Sequence, residues 1–434
     1  MAKIIGFIMC VCAMSLFFFP VTFAGMPPST NSKMVMAAIG LFLFIYDLAK
    51  TKESHIDKRL ITIIVFALLV SLSTYVSIVI NNTLDYTYVT YINSMLVWTI
   101  AAYLVLQVIE GVHGYVDVKL IIIYLMAMCT LQCILAISID MNADVQKFVD
   151  RFYPDSAFFH EKKRMYGFGC GLDVAGGRFS AVLVMIAYLL YGNSRKDNWQ
   201  FSVFCITCFV IISAIGNMMG RTTTVGMVLG LLIILYSLFA KGTNHNYIGS
   251  IVSILSVMVV VSVILYNTNA GWHDNFKFGF EGFFSLVEKG KWEVHSNEML
   301  QEGFIFPDNL KTWLIGDGYF DEPSHTTSYY TGPSFYGYYM GTDAGYSRFL
   351  FYFGLFGLLA FSGFFISVAN FCAKYFPRYE YMFGTILILN FIIWIKVSTD
   401  IYVTFAPFVC LSMMKAFKIE SPVLMVNKEK EDGL

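Results

Sequence analysis

Gly341-Thr342-Asp343-Ala344-Gly345-Tyr346-Ser347-Arg348 runs without a break into the apolar stretch Phe349–Phe365. Such a stretch reads as a membrane helix, and it puts a charged pair, Asp343 and Arg348, at the helix mouth. Charges at that depth are costly and mark function by default. Upstream lies a long polar segment, 267–344, with 18 aromatic, eleven acidic and four basic residues. Nearly everything before it consists of apolar runs joined by short connectors.

The chain has 434 residues, of which 57% are hydrophobic and 14% charged. Soluble domains carry about 25% charged residues. Apolar runs of about 20 residues, enough to cross roughly 30 Å of hydrocarbon, recur throughout. Backbone groups in lipid must bond internally, which leaves helices or a closed barrel, and these runs are too long for barrel strands. The expectation is an all-α polytopic membrane protein of about 12 transmembrane helices, with one large extracytoplasmic loop in the C-terminal half. The spans fall near 4–25, 34–49, 60–80, 88–109, 119–139, 179–192, 200–216, 222–240, 247–266, 345–371, 381–396 and 400–417. The first reads as an uncleaved span, being longer than a signal peptide's apolar core. A net charge of −1 points to no nucleic-acid partner. The nine cysteines lack metal or disulfide spacing and read as packing residues.

Basic residues set the orientation. With a cytoplasmic N-terminus, fifteen lysines and arginines fall inside, while the short outer loops hold only Lys33, Arg221 and Lys396. Both termini are then cytoplasmic, 418–434 is a tail, and 140–177 and 267–344 lie outside. The first outer loop carries Arg164 and Arg178 around five glycines in eleven residues, which allow close backbone approach. Arg178 is placed at the opening of the next span. Arg221 tips the hairpin Gly220-Arg221-Thr222, where small residues suit close helix packing. Arg164, Arg178, Arg221 and Arg348 thus gather at the outer face. Four planar guanidiniums suit a diphosphate; the plainer reading is four unrelated helix-end anchors. Asp343 has two readings as well: a base kept ionised by Arg348, or a helix cap. In the large loop, 281–303 is expected to include helix with Phe283, Phe284, Leu286, Val287, Met299 and Leu300 turned inward. The Gly- and Tyr-rich run 328–345 is expected to be an irregular, lid-like segment.

Three pieces carry a resemblance. Arg164-Met-Tyr-Gly167, followed by Arg178-Phe-Ser-Ala-Val-Leu, is similar to an Arg-x-x-Gly loop and its following span. Gly220-Arg221-Thr222 before Val225–Gly230 is similar to a Ser-Arg-Gly hairpin. Trp313-Leu-Ile-Gly316-Asp-Gly318-Tyr, Asp343-Ala-Gly-Tyr346 and Phe353-Gly354-Leu-Phe-Gly357 are similar to the end of a large loop and its helix. In order and topology, over about 140–370, the chain resembles the bacterial O-antigen polymerase (Wzy-type) and O-antigen ligase superfamily. It departs from that pattern in three places. Asp343 stands where the ligases commonly have a histidine, an Asn-Pro-Asn motif is absent, and Gly220 replaces the hairpin serine. The first departure favours a polymerase-like member.

The resemblance implies a metal-independent glycosyltransferase of the bacterial inner membrane, without cofactor. It would polymerise undecaprenyl-diphosphate-linked repeat units for O-antigen or capsule, beside membrane lipid and with chain-length-regulator and flippase partners. Arg178, Arg221 and Asp343 would be catalytic, and Arg164, Arg348, His325 and Tyr346 would bind substrate. Asp321, Glu322 and His325 are further base candidates. An O-antigen ligase, a lipid-linked oligosaccharide flippase and a non-catalytic scaffold are the alternatives. A flippase fits less well, since no internal repeat is visible and the charges gather at one face rather than mid-span. The topology has a direct check. A cysteine introduced at Ser328 should react with a membrane-impermeant thiol reagent in cells whose outer barrier has been opened; labelling only after lysis refutes the orientation.

Overall fold

The computed structural model describes residues 2–27, 30–50, 58–161, 164–193, 199–240, 249, 263–264, 266–267, 270–294, 303–321, 334–335 and 337–418. Eight helices among them are long and apolar enough to cross a membrane, and three more apolar helices are shorter. The chain belongs to the all-α, membrane-embedded class. The expected span at 247–266 lies almost wholly outside the described residues.

The helices are α1 (Ala2–Phe18), α2 (Ser32–Lys50), α3 (Lys58–Asn81), α4 (Tyr91–His113), α5 (Val118–Met141), α6 (Ala143–Phe152), α7 (Ser156–Glu161), α8 (Leu172–Asn193), α9 (Trp199–Met219) and α10 (Thr223–Ala240). Further along come α11 (Ala270–Gly279), α12 (Glu281–Lys289), α13 (Leu310–Ile315), α14 (Gly345–Tyr375), α15 (Glu380–Lys396) and α16 (Tyr402–Lys418). Side-chain caps set several starts: Asp117 accepts from Leu120 N at 2.7 Å and Asn309 from Thr312 N at 2.9 Å. Helix α8 is the axis, 83% buried, whereas α2 is only 17% buried and turns its apolar face outward. Such exposed apolar surface is what a lipid-facing helix requires.

Two boundaries differ from the hydropathy reading. Helix α1 stops at Phe18, because Pro20 cannot continue the ladder. Helix α8 starts at Leu172 rather than 179, so Arg178 stands in its second turn instead of at the membrane face. The polar, glycine-bearing turn that hides this start from hydropathy is stabilised by packing: Gly220 lies so close to the Leu172 carbonyl that it has no room for a side chain. The first outer loop is not plain loop either, since it contains α6 and α7. In the large loop, α12 turns Gly282 and Ser285 inward and leaves Phe283, Leu286 and Val287 exposed, contrary to expectation; Phe284 is partly buried against the core. With exposed Phe148 and Phe152 on α6, this is the pattern of helices lying in the membrane interface, apolar face to lipid. Met299 and Leu300 lie outside the described residues. Within the expected lid, 334–335 and 338–339 form a two-stranded antiparallel hairpin, Ser334 opposite Tyr339 and Phe335 opposite Tyr338.

Helix α14 is broken. Gly354 has φ 65 and ψ −169, a conformation essentially open to glycine alone. The break releases carbonyls that lipid cannot satisfy. The loop after α13 supplies the donors: Asp317 N bonds Phe351 O at 2.5 Å and Gly318 N bonds Tyr352 O at 3.1 Å. Ser77 Oγ on α3 also donates to Tyr352 O, at 2.8 Å. Gly316 (φ 84, ψ −179) brings the loop into backbone contact; a Cβ there would lie 2.6 Å from the Tyr352 carbonyl carbon. The same loop is clamped by Asn81 Nδ2 on Gly316 O (3.0 Å) and Thr83 Oγ1 on Gly318 O (2.9 Å). Substituting Gly354→Ala should therefore lose about 1–3 kcal/mol to backbone strain alone, plus a clash with the Leu314 carbonyl. Its thermal midpoint in detergent should fall well below wild type. Gly384→Ala, where a Cβ meets nothing within 4 Å, should leave it unchanged.

Candidate functional site

The loop before α8, the α9–α10 hairpin and the helices α11 and α12 meet at one end of the bundle. The α9–α10 hairpin points Arg221 toward α11 and α12. There Arg221 Nη1 pairs with Glu281, and its guanidinium carbon lies 4.6 Å from the centroid of Phe278. Arg164 reaches the same ring from the first outer loop, at 3.4 Å. Two guanidiniums thus share one aromatic platform, an arrangement that holds like charges close without direct contact. Burial, and then the charge of Arg221, lower the pKa of Arg164.

A cavity of about 200 Å³ opens beside Arg221, lined by Thr222, Glu281, Phe283, Trp292, Ile392, Ile393 and Lys396 among others. Its lining is cationic at one end and apolar along Ile392, Ile393 and Phe283. Lys396, the last residue of α15, lies in the field of Asp173, Arg221, Asp343 and Glu281. Asp173 accepts a hydrogen bond from Thr222 Oγ1 at 2.7 Å, which ties the hairpin to α8. Lys396, Asp173 and Glu281 were not singled out from the sequence. Lys396 did carry a signal: it was one of three cations on the side of the membrane that the charge asymmetry leaves nearly bare.

Asp343 reaches the surface next to this group. The protein around it still strips part of its hydration, and with the nearby charge of Asp173 this raises its carboxyl above the ordinary range, against Lys396 and Arg348. Arg348 was expected to keep Asp343 ionised. Instead its Nη2 donates to Phe320 O (3.0 Å) and Asp321 Oδ1 (2.7 Å), and its Nη1 to Ser398 Oγ (2.7 Å). Its guanidinium also stacks on Phe320 at 3.7 Å. The cap reading of Asp343 fails on geometry as well: Ala344 is the N-cap residue of α14, and no side chain bonds there.

Two further arginines do not join the cluster. Arg178 is buried, donates from Nη1 to Phe18 O, and lies 5.4 Å from the Trp98 ring and 5.5 Å from that of Phe19. The structure does not bring it together with Arg221: its helix begins about two turns earlier than the apolar run suggests and carries it into the bundle. Its nearest carboxylate field is that of Asp400, which accepts from Tyr402 N at 3.0 Å and whose carboxyl is pushed up by burial, with Arg178 and Lys33 opposing. Arg348, as described, is fixed in its own socket. Tyr346, expected to touch substrate, donates its hydroxyl to Phe391 O at 3.0 Å and packs edge-on to Trp394. His325 and Glu322 lie outside the described residues. Asp321 is the partner of Arg348; its side chain stays largely exposed, yet partial loss of hydration raises its carboxyl against the pull of Arg348.

Compared with family models, curated proteins and solved structures, the chain matches none. Tyr346 offers a test of this partition between structural and exchangeable groups. Tyr346→Phe should lose about 0.5–1.5 kcal/mol of stability with its one hydrogen bond, read as a lower thermal midpoint.

Proposed function

We propose that this protein is a glycosyltransferase that joins lipid-diphosphate-linked oligosaccharide units at the outer face of the bacterial cytoplasmic membrane, with both termini inside. The supporting observation is the cavity that sets Arg221 and Lys396, with Arg164 across Phe278, against an apolar wall. Cations over an apolar wall at a membrane interface suit one chemistry above others: a polyphosphate head on a lipid tail. Planar guanidiniums take phosphate oxygens bidentately. The resemblance to the O-antigen polymerases supplies the reaction class, and undecaprenyl diphosphate supplies both donor and acceptor carrier.

In this reading the diphosphate replaces Glu281 on Arg221. An acceptor hydroxyl attacks the anomeric carbon of the donor glycan. The new C–O bond forms as the bond from that carbon to the diphosphate oxygen breaks, and the electron pair leaves on the diphosphate. Arg221, Arg164 and Lys396 stabilise the charge that develops there. The hydroxyl proton passes to Asp343, whose raised proton affinity suits a base better than an ordinary aspartate. Arg178 and Arg348 hold the scaffold. Chain-length-regulator and flippase proteins are the expected partners.

The test is Asp343→Asn in a strain dependent on this chain, with glycan length read on a gel. Chain extension should stop while protein level and undecaprenyl-diphosphate binding persist; normal-length polymer removes Asp343 from the mechanism. Because Asp343 must be ionised to accept the proton, the rate should rise with pH through its pKa. That acid limb should lie above the roughly 3.9 of an unperturbed aspartate. Arg221→Lys keeps the charge and loses the fork, so it should impair extension nearly as much as Arg221→Ala.

A further inference from the structure

A second cavity, of about 340 Å³, lies on the other side of Arg164. We propose that it is a saccharide-binding subsite for a neutral glycan. This rests on the function proposed above and adds where the sugar is held. Small-molecule sites run from roughly 300 to 1,000 Å³, so the space suits a short saccharide.

The lining carries the argument. Arg164, Gln146, His160, Asp140 and Asn275 present planar groups that donate and accept hydrogen bonds, as paired sugar hydroxyls require. Several are held in place. Gln146 Nε2 donates to His160 Nδ1 at 2.9 Å, His160 Nε2 donates to Asp150 Oδ2 at 2.9 Å, and Tyr166 OH donates to Asp150 Oδ1 at 2.7 Å. This chain holds the imidazole between Gln146 and Asp150 and so positions both side chains at the cavity. Asn275 of the large loop donates to Asp140 of α5 at 3.2 Å, so the cavity closes only where the two outer loops meet. Phe159 and Tyr166 stack at 5.2 Å and 11°, a buried aromatic pair that stiffens the wall behind the polar groups. Asp140 and Asp274 in the lining offset Arg164, which disfavours an anionic glycan.

Position gives the site its meaning. Arg164 lines this cavity and stacks on Phe278, the ring it shares with Arg221 of the first cavity. A ligand with phosphates at Arg221 and sugars running past Phe278 would reach this second space without leaving the outer face.

The experiment uses the full chain in lipid nanodiscs on an array of neutral and anionic glycans, with undecaprenyl diphosphate binding measured separately. Wild type should bind a subset of the neutral glycans. Gln146→Ala and Asn275→Ala should each weaken that binding about tenfold while leaving thermal midpoint and undecaprenyl diphosphate affinity unchanged. No binding to any neutral glycan, or binding untouched by both substitutions, overturns the subsite even if undecaprenyl diphosphate binds. Glycan binding with the expected mutant losses, in a protein that ignores undecaprenyl diphosphate, upholds the subsite and instead refutes the proposed donor.

Discussion

A carbonyl released inside a bilayer has to find a donor, and the break at Gly354 releases two. The loop bearing Gly316 and Gly318 meets that demand with its own backbone N–H groups, with Ser77 adding a hydroxyl. Neither partner is stable alone. An open helix at membrane depth is disfavoured by several kcal/mol per orphaned group, and a short segment such as α13 does not hold a helix by itself. Locked together they fix the C-terminal part of the large loop on α3 and α14. Phe320 and Asp321 are thereby placed against Arg348, and the loop's return at Thr342 and Asp343 is set above the bundle. Thr342 Oγ1 closes the return by donating to Gly303 O.

The cations at this end then divide by how deeply the protein encloses them. Arg348 has three hydrogen-bond partners and an aromatic face, all from the protein. Arg178 is enclosed by Phe18, Phe19 and Trp98. Removing either would leave buried groups without partners, the mark of a structural residue. Arg221 differs, because its pairing with Glu281 is partly solvated: their side chains keep 20% and 32% exposure. A solvated ion pair is worth little, so an incoming anion can take the place of the carboxylate without a large penalty.

Much of this was legible in the sequence, and the failures share one cause. Apolar runs predict most of the helices, since a span must be apolar whatever it packs against. They do not predict the start of α8, where Asp173, Gly176 and Gly177 look like loop and become helix through contact with the α9–α10 hairpin. Arg178 was misplaced for that reason alone. Distance along the chain suggested that Asp343 and Arg348 are partners, whereas the fold gives Arg348 a closer carboxylate in Asp321. The aromatics of α12 were assigned to a core, as in a soluble domain, though near a bilayer an exposed Phe283 or Val287 is solvated by lipid. Arg221 was found because a cation on a tight outer hairpin is conspicuous. Lys396 was passed over because it ends an apolar run, where a snorkelling anchor is the ordinary reading.

The acid excess of the large loop fits the same division. Eleven carboxylates against four basic groups give the segment 267–344 an excess of acid. In the folded chain some of those carboxylates answer cations that the bundle presents: Glu281 answers Arg221, and Asp321 answers Arg348. The bundle supplies positive charge and the loop supplies its counter-ions. Arg348 itself is buried, 8% exposed against 20% for Arg221, so its contact with Asp321 holds the loop down. Arg221 keeps more contact with water, and its pairing with Glu281 is the more easily exchanged. Glu281 opens α12, so this one ion pair ties the start of that helix to the α9–α10 hairpin.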